Sequence, residues 1–333
     1  MDQPVSQLEP GVVAHLVNGS ASSVAGAVHK LNDYDVVIVQ HEYGIFGGPD
    51  GVEVVDLVES LRVPTIVVFH TVLETPTTRQ REILERLIRA ADAMVTMTKT
   101  AQRRLVDLYG ADPRAVRTIP HGAIDHHKRA GGRGTGARPL VLTWGLLGPG
   151  KGIEWAIEAL PGLRDLNPRY LVLGATHPRI LAREGEAYRN RLSGRARDLD
   201  VADLLELDSS YLPAGELFDV VASADLVLLP YDSREQVTSG VLIEAVAAAR
   251  PIVSTAFPHA VEMLAQGAGL LVPQRDPAAL GTAVRQVLSE PGLARTMSAR
   301  AALQAPALFW DAVADRYREL AEDLCVAALA SAS

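Results

Sequence analysis

The chain has 333 residues, 48% of them hydrophobic, which is long enough for two compact domains with separate cores. Its formal net charge of −8 argues against a dominant nucleic-acid-binding surface, because such surfaces are basic. The single cysteine, Cys325, excludes an internal disulfide and a cysteine-ligated metal cluster. It also agrees with a reducing, cytoplasmic location, and no apolar run is long enough to predict a transmembrane segment.

The first part of the chain alternates short apolar runs with amphipathic stretches. The runs are rich in β-branched residues and predict buried strands, whereas the stretches between them place apolar residues at helical spacing. The predicted strands lie at 35–39, 64–69, 93–97 and 116–120, and the predicted helices at 52–61 and 79–91. Such alternation predicts a parallel sheet covered by helices on both faces, in a first domain at 1–125.

Residues 126–138 break this pattern with four glycines, several basic residues and no periodicity, which is typical of a linker. The alternation of strands and helices then restarts and continues through 139–306. A last helix is predicted within 307–333. The chain is therefore expected to be an α/β protein of two doubly wound domains, with ligands bound at the carboxyl ends of the strands.

The segment Trp144 to Gly152 follows a predicted strand and precedes a predicted helix. Its glycines, Gly145 among them, allow close approach of an anion, the new helix offers free amides, and Lys151 adds a positive charge. This combination favours a phosphate or diphosphate site. The segment matches a P-loop over seven positions, but Gly152 stands where a P-loop has Ser or Thr, which disfavours a P-loop kinase.

A second candidate segment follows the predicted strand that ends at Pro230. Ser239 and Gly240 are predicted to begin a helix and to expose backbone amides to a second part of the anion. Glu244 is predicted one turn into that helix, where its carboxylate accepts hydrogen bonds from two ribose hydroxyls. The alternative for Glu244 is a surface glutamate that only favours the helix dipole.

The residues from Glu244 to Val253 read EAVAAARPIV, and Leu270 to Pro273 with Asp276-Pro277 form a second matching segment. Together with the Lys151 loop, they resemble the retaining glycosyltransferases of family 4 (glycosyl transferases group 1), which have the GT-B fold. The resemblance implies two Rossmann-like domains facing a cleft, here with an abbreviated N-terminal domain. It also implies transfer of a hexosyl group from a nucleoside diphosphate sugar to a sugar, glycan or lipid-linked acceptor, with retention and without metal or cofactor.

The resemblance assigns roles to individual residues. Lys151 and Gly145 fall on the family's diphosphate loop, Ser239 and Gly240 on the amides that meet the diphosphate, and Glu244 on the ribose-binding carboxylate. Two positions depart from the family's pattern. The family's arginine is Leu146 here, and the first glutamate of its E-x7-E motif is Gln236, which cannot act as a base, although Glu235 is adjacent.

The first domain contributes three histidines at predicted strand ends, His41, His70 and His121. His70 resembles the family's cleft histidine, which contacts the transferred sugar, and is predicted with Gln236 to be catalytic. His41, Glu42 and Tyr43 leave a strand end in a polar, glycine-rich segment and are predicted on the acceptor side. His121 resembles a segment that closes the first domain at the hinge. No metal-binding spacing accompanies these histidines.

Some alternatives stay open at this stage. Leu146, Gln236 and the short first domain leave a non-catalytic or impaired sugar-nucleotide-binding protein as one alternative, and a GT-B epimerase as another. The family's opening strand, glycine-rich loop and helix are expected to be absent or abbreviated, which would follow from a misplaced start or from a reduced first domain. The last helix, with Trp310 and Tyr317, is expected to pack against the first domain. The donor base and sugar, the acceptor and the oligomeric state are left open.

Overall fold

The computed structural model of the chain describes residues 16–125 and 138–332. It divides into two compact units, the first comprising Met1–Pro120 with Ala314–Ser333 and the second His121–Val313, within the limits of the described residues. The predicted linker at 126–138 lies outside the described residues except for Arg138.

The first unit contains a parallel sheet with strand order β1-β2-β3-β4. Its strands are β1 (Val37–His41), β2 (Thr65–Phe69), β3 (Ala93–Thr96) and β4 (Val116–Thr118). Its helices are α1 (Ala21–Leu31), α2 (Glu53–Glu59), α3 (Thr78–Ala90) and α4 (Lys99–Tyr109). Every residue of β2 and β3 is buried, as expected for strands with helices on both faces.

The helices of this unit begin where the sequence supplies capping side chains. Thr77 and Gln80 form a reciprocal capping box at the start of α3. Ser20 caps α1, whose His29 and Lys30 lie near its negative end. The described residues thus include a helix of 11 residues, α1, before the first strand. The part of the expectation that concerns residues 1–15 lies outside the described residues.

The second unit contains a six-stranded parallel sheet with order β10-β9-β8-β5-β6-β7 among the described residues. Its strands are β5 (Leu140–Trp144), β6 (Arg169–Leu173), β7 (Leu205–Asp208), β8 (Leu226–Leu229), β9 (Ile252–Thr255) and β10 (Gly269–Val272). Its helices are α5 (Ile153–Ala159), α6 (Pro178–Glu184), α7 (Ala187–Asp198), α8 (Ala214–Ser223), α9 (Gly240–Ala247), α10 (Pro258–Leu264), α11 (Pro277–Ser289), α12 (Pro291–Gln304) and the start of α13 (Trp310–Ala332).

Side chains alternate between the two faces of this sheet and build two apolar clusters. Along β5, Leu140, Leu142 and Trp144 enter one cluster, whereas Val141 enters the other. Because both faces are apolar, the strands read as continuous hydrophobic runs in the sequence. This is why the strand predictions from composition succeeded.

The helices differ from the sequence prediction in three places. A helix is expected from the sequence at 184–199 and is observed as α7, whereas the seven-residue helix α6 before it was not predicted. The helix α10 has only seven residues, and α12 buries only Met297 and Ala301 within its own length. Neither has the long apolar stripe by which a helix is predicted from sequence, so both were missed.

Candidate functional site at the strand-order reversal of the second unit

Two loops leave the second sheet side by side at the point where its strand order reverses. β5 and β8 are parallel neighbours, with Val141 opposite Leu226 and Leu142 opposite Val227. The chain proceeds from β5 to one side of the sheet and from β8 to the other. The connections after these strands therefore diverge and leave a crevice, which is where doubly wound sheets bind ligands.

The loop after β5 holds the candidate lysine against the loop after β8. The Asp232 N–H donates a hydrogen bond of 3.1 Å to the Gly150 carbonyl. Next to it, Lys151 Nζ lies 4.2 Å from the centroid of the buried Tyr231 ring, a cation–π contact. Leu146, the position where the family resemblance expects an arginine, is 41% exposed. The structure thus places Lys151 on a loop that is fixed by its neighbour.

Gly152, the last residue of this loop, is confined to glycine by its surroundings. Its backbone is left-handed, with φ of 62°, and it caps the N-terminus of α5. A methyl group added at its Cα would overlap the Pro230 carbonyl oxygen. A serine or threonine cannot be accommodated without displacing that strand end, which gives a physical reason against the P-loop interpretation.

The loop after β6 closes the other side of the lysine loop. Leu147 donates its N–H to Ala175 O at 2.9 Å and accepts from His177 N–H at 2.8 Å. Beside them, Gly174 lies so close to the Gly145 carbonyl that a side chain at Gly174 would overlap it. Neighbours on both sides therefore fix the shape of the lysine loop.

The helix α9 begins at the same edge of the sheet. Ser239 is its N-cap, and its hydroxyl accepts a 3.3 Å hydrogen bond from Leu242 N–H. Among the described residues, no acceptor pairs with the N–H groups of Gly240 and Val241. A Cβ added to Gly145 would lie 3.5 Å from Val241 Cγ2, so the lysine loop and the start of α9 are in contact range. Two free amides and a helix dipole thus face the edge that carries Lys151.

The polar side chains around α9 differ in their hydrogen bonds and burial. The side-chain Nε2 of Gln236 donates a 2.9 Å hydrogen bond to Thr238 O, so this nitrogen is used within its own loop. The backbone carbonyl of Gln236 accepts a long 3.4 Å hydrogen bond from His259 N–H. Glu235 and Glu244 are both half-buried, Glu244 in the second turn of α9.

His121 belongs to the second unit, where its ring lies over the start of α9. Its Nδ1 is 2.7 Å from Gly122 O, so Nδ1 donates. The ring also lies against Trp310, with centroids 5.8 Å apart. Both Cε1 and Nε2 are 3.3 Å from where a Cβ on Gly240 would be. The structure therefore brings His121 to Gly240, a contact that the sequence did not reveal.

In the first unit, two of the predicted side chains make polar contacts at the carboxyl ends of β1 and β2. His70 Nε2 lies 2.7 Å from Gln40 Oε1, and the ring is half-buried. Glu42 is also half-buried, and its carboxylate accepts hydrogen bonds from the Thr71 hydroxyl at 2.5 Å and the Tyr43 N–H at 3.0 Å. Because β1 and β2 are adjacent, His70 and Glu42 share one edge of the first sheet.

Two other residues predicted on the acceptor side turn into the first unit's core. The His41 ring is completely buried, in edge contact with Tyr43 and Phe69. Burial, with His70 nearby, lowers the pKa of His41 to about 4, so the ring is neutral at pH 7. Tyr43 is buried as well and donates its hydroxyl hydrogen to Gln80 O at 3.2 Å. Neither side chain offers a surface to a ligand in this structure.

Within residues 16–125 and 138–332, no three His, Cys, Asp or Glu side chains lie together as a metal site would require. In the same part of the chain, none of the helices combines the length and the apolar character needed to cross a bilayer.

One residue at the candidate site was missed by the sequence interpretation. His259, at the start of α10, is completely buried, and its Nδ1 accepts a 2.8 Å hydrogen bond from Ser239 N–H. The only sequence signal is a polar residue directly after Phe257-Pro258, in a segment too short to predict as a helix. Its proximity to Ser239 depends on the packing of β8 and β9 side by side.

Two family models together match most of the chain. The model described as Glycosyl transferases group 1 matches residues 138–290, and the model described as Glycosyltransferase Family 4 matches residues 12–126. The chain belongs to the family 4, group 1 glycosyltransferases. The second match extends over α1 and the first sheet, and the first covers the lysine loop and α9.

A curated relative agrees with this assignment, and two solved structures share the fold. A D-inositol 3-phosphate glycosyltransferase of Kineococcus radiotolerans is 30% identical over 267 residues; the match covers 72% of this chain and 60% of that protein. A glycosyltransferase from Rickettsia africae superimposes with a TM-score of 0.76 at 14% identity, covering 94% of this chain and 84% of the other. HepE from Anabaena, solved with UDP and glucose, superimposes with a TM-score of 0.71 at 18% identity. The match covers 91% of this chain and 81% of HepE. The fold is therefore of the GT-B type.

Proposed function

We propose that the chain transfers a hexosyl group from a nucleoside diphosphate sugar to an acceptor, with retention of the anomeric configuration. The observation that carries the proposal is the contact between the Lys151 loop and the segment leading into α9, where the strand order reverses. A cation and two unpaired amides at one sheet edge suit a diphosphate. Membership of the family supports glycosyl transfer, and retention rests on the family resemblance alone.

In this proposal the diphosphate half of the site acts electrostatically. As the bond between the sugar and the diphosphate breaks, negative charge grows on the leaving group. Lys151 and the Gly240 and Val241 amides would stabilise it without reorganising, because neighbouring loops already hold them. Glu244 would accept hydrogen bonds from the ribose hydroxyls. The chemistry so described needs neither a metal ion nor an organic cofactor.

The sugar and acceptor half is proposed from fewer contacts. Gln236 has its Nε2 engaged by Thr238 O, so its Oε1 is the atom we assign to a sugar hydroxyl. His70 is assigned to the transferred sugar, and Glu42 and Glu235 to the acceptor side. His41 and Tyr43 are left out of these contacts, because both are buried.

The first acceptor to test follows from the relatives. Several matched proteins are named D-inositol 3-phosphate glycosyltransferases, although this chain spans only 60% of the length of one and 52% of another. We therefore include inositol 3-phosphate in an acceptor panel with simple sugars and lipid-linked sugars.

Calorimetry with UDP, GDP and ADP, and then with their hexose conjugates, tests the donor half of the proposal. We expect one nucleotide to bind and Lys151→Ala to weaken it by about 10- to 100-fold, since a charged hydrogen bond contributes roughly 1.5–3 kcal/mol. Lys30→Ala in the first unit removes the same charge and should leave affinity unchanged. Unchanged affinity in Lys151→Ala would reject the assigned site.

A non-catalytic sugar-nucleotide-binding protein is the second candidate function. Leu146 and Gln236 favour it, because they replace an arginine and a glutamate expected from the family resemblance. Measuring nucleotide release from the bound donor, with and without the acceptor panel, separates the two. Tight donor binding with no turnover on any acceptor would establish the second candidate.

A further inference from the structure

One residue of α10, His259, holds the loop that leads into α9 by two hydrogen bonds. His259 contacts this loop twice, through its N–H to Gln236 O at 3.4 Å and through Nδ1 from Ser239 N–H at 2.8 Å. Its side chain is completely buried. The second contact is the shorter one, and it fixes the N-cap residue of α9 itself.

The hydrogen bond to Ser239 defines the protonation state of this ring. An N–H group only donates, so Nδ1 must accept, and the proton of the neutral ring is on Nε2. Burial, with His121 nearby, lowers the pKa of His259 to about 3. The ring therefore stays neutral at pH 7, and Nδ1 stays an acceptor.

The other nitrogen of the ring shows that this arrangement has a cost. Nε2 is buried and has no hydrogen-bond partner among the described residues. An unpaired buried donor is destabilising, and a phenylalanine would fill a similar volume without it. A purely packing role would therefore favour an apolar ring, whereas the Ser239 hydrogen bond requires an acceptor.

The consequence reaches the two amides of the proposed diphosphate site. With the Ser239 N–H engaged by His259 and the Ser239 hydroxyl engaged by Leu242 N–H, the N-cap is held from both sides. The next two N–H groups, of Gly240 and Val241, remain unpaired within the described residues. Their direction is set by the residue that precedes them.

We propose that His259 is a positioning residue for the donor, because its Nδ1 fixes Ser239 and thereby aims the Gly240 and Val241 amides at the diphosphate. The proposal rests on the proposed function. It gives His259 no contact with the donor and no part in proton transfer. It assigns to this chain a residue whose acceptor atom, rather than its volume or charge, determines donor affinity.

Two substitutions at this position separate the effect of the hydrogen-bond acceptor from the effect of side-chain volume. His259→Asn retains an oxygen acceptor near the place of Nδ1 but is smaller, whereas His259→Phe retains a ring but has no acceptor. We expect His259→Phe to weaken binding of the best-bound nucleoside diphosphate about tenfold, the effect of one lost hydrogen bond, and His259→Asn to stay within roughly threefold of wild type. The reverse order, or equal losses, would overturn the proposal.

Hydrogen exchange supplies a readout that does not depend on activity or ligand. The Ser239 amide should be protected in wild type and in His259→Asn, and should exchange faster in the acceptor-free variant. If His259→Phe does not fold, His259→Leu replaces it in both measurements, because it also lacks an acceptor. Unchanged Ser239 protection in a folded acceptor-free variant would contradict the hydrogen bond to His259.

The outcomes also separate this inference from the proposed function. If no nucleoside diphosphate binds to wild type, the proposed function fails, whatever the exchange data show. If wild type binds and Lys151→Ala weakens binding while every His259 variant binds like wild type, only the role of His259 fails. Loss of affinity together with loss of Ser239 protection supports both.

Discussion

Each unit contains a histidine with a completely buried ring, and the two rings differ in their partners. His41, at the end of β1, has no hydrogen-bond partner at either nitrogen among the described residues, and it packs against aromatic rings. His259 in the second unit accepts from the Ser239 N–H. Burial lowers the pKa of both, to about 4 and about 3. Burial and a lowered pKa therefore do not distinguish the two histidines. The hydrogen bond from the Ser239 N–H to His259 does.

The same contrast extends to the units as a whole. In the second unit, the Lys151 loop and the segment leading into α9 are in contact, because parallel neighbours β5 and β8 place their loops side by side. In the first unit the predicted set divides: Glu42 and His70 stay at the sheet edge, whereas His41 and Tyr43 enter the core. Substitutions in the second unit should therefore change donor affinity, whereas substitutions in the first unit should change the free energy of unfolding. Four predictions test this contrast.

The largest effect is expected at the loop contact of the second unit. Gly152→Ser introduces a side chain where the Pro230 carbonyl lies, at a left-handed residue. We expect a loss of roughly 3 kcal/mol or more in unfolding free energy, with loss of nucleotide binding. Denaturant unfolding and calorimetry measure the two effects. Gly162→Ser is the control, because within the described part of the chain no atom beyond its own neighbours in sequence lies within 4 Å of its added Cβ. Similar results for both variants would contradict the contact.

The second prediction concerns pH and involves both units. The folded pKa of His41 and His259 lies below that of the unfolded chain, so the unfolded state binds more protons. Their stabilising contribution is complete above about pH 6.5 and is lost as pH falls toward 4 and 3. Between pH 7.5 and 5, each buried ring should therefore lower the free energy of unfolding by roughly 2 kcal/mol.

Single substitutions assign this pH dependence to each ring. His41→Phe and His259→Asn should each reduce the stability loss measured by urea unfolding at the two pH values. Nucleotide affinity at pH 7.5 should be unchanged in His41→Phe, because the His41 ring packs against Tyr43 and Phe69, which are not assigned to the donor. A change in donor affinity in His41→Phe would break the contrast between the two rings.

The third prediction concerns the ring that lies over the start of α9. Gly240→Ala places a methyl group 3.3 Å from two atoms of the His121 ring, which Gly122 O and Trp310 hold in place. To relieve this contact, the ring or the helix start must move by a few tenths of an ångström. Since the ring is held, we expect the helix start to move and nucleotide binding to weaken about tenfold. The double variant Gly240→Ala/His121→Ala should recover part of the loss in calorimetry. Equal affinities of the single and double variants would show that the ring does not cause it.

The smallest effect is expected in the first unit. Tyr43→Phe removes the hydroxyl that donates to Gln80 O, and it should lower the unfolding free energy by about 1 kcal/mol. Donor affinity and the KM for any acceptor should stay the same, because Tyr43 is buried. An increase in acceptor KM without loss of stability would return Tyr43 to the acceptor side.

The sequence by itself determined the local elements and the chemistry near them. The apolar runs became buried parallel strands because helices cover both faces of each sheet, and the glycines around Lys151 marked a loop between strand and helix. Ser239 was identified as a helix start because a capping hydroxyl acts within its own turn. These signals span few residues, so they can be read from the chain.

Only the tertiary structure decided which of these residues meet. The strand order places β8 beside β5, although β6 and β7 lie between them in sequence, and this brings the Asp232 N–H to the Gly150 carbonyl. The packing of β9 beside β8 brings His259 to Ser239, and the burial of β1 turns His41 inward. The physical reason is that each of these contacts depends on how whole strands pair and pack, and no local pattern records that pairing.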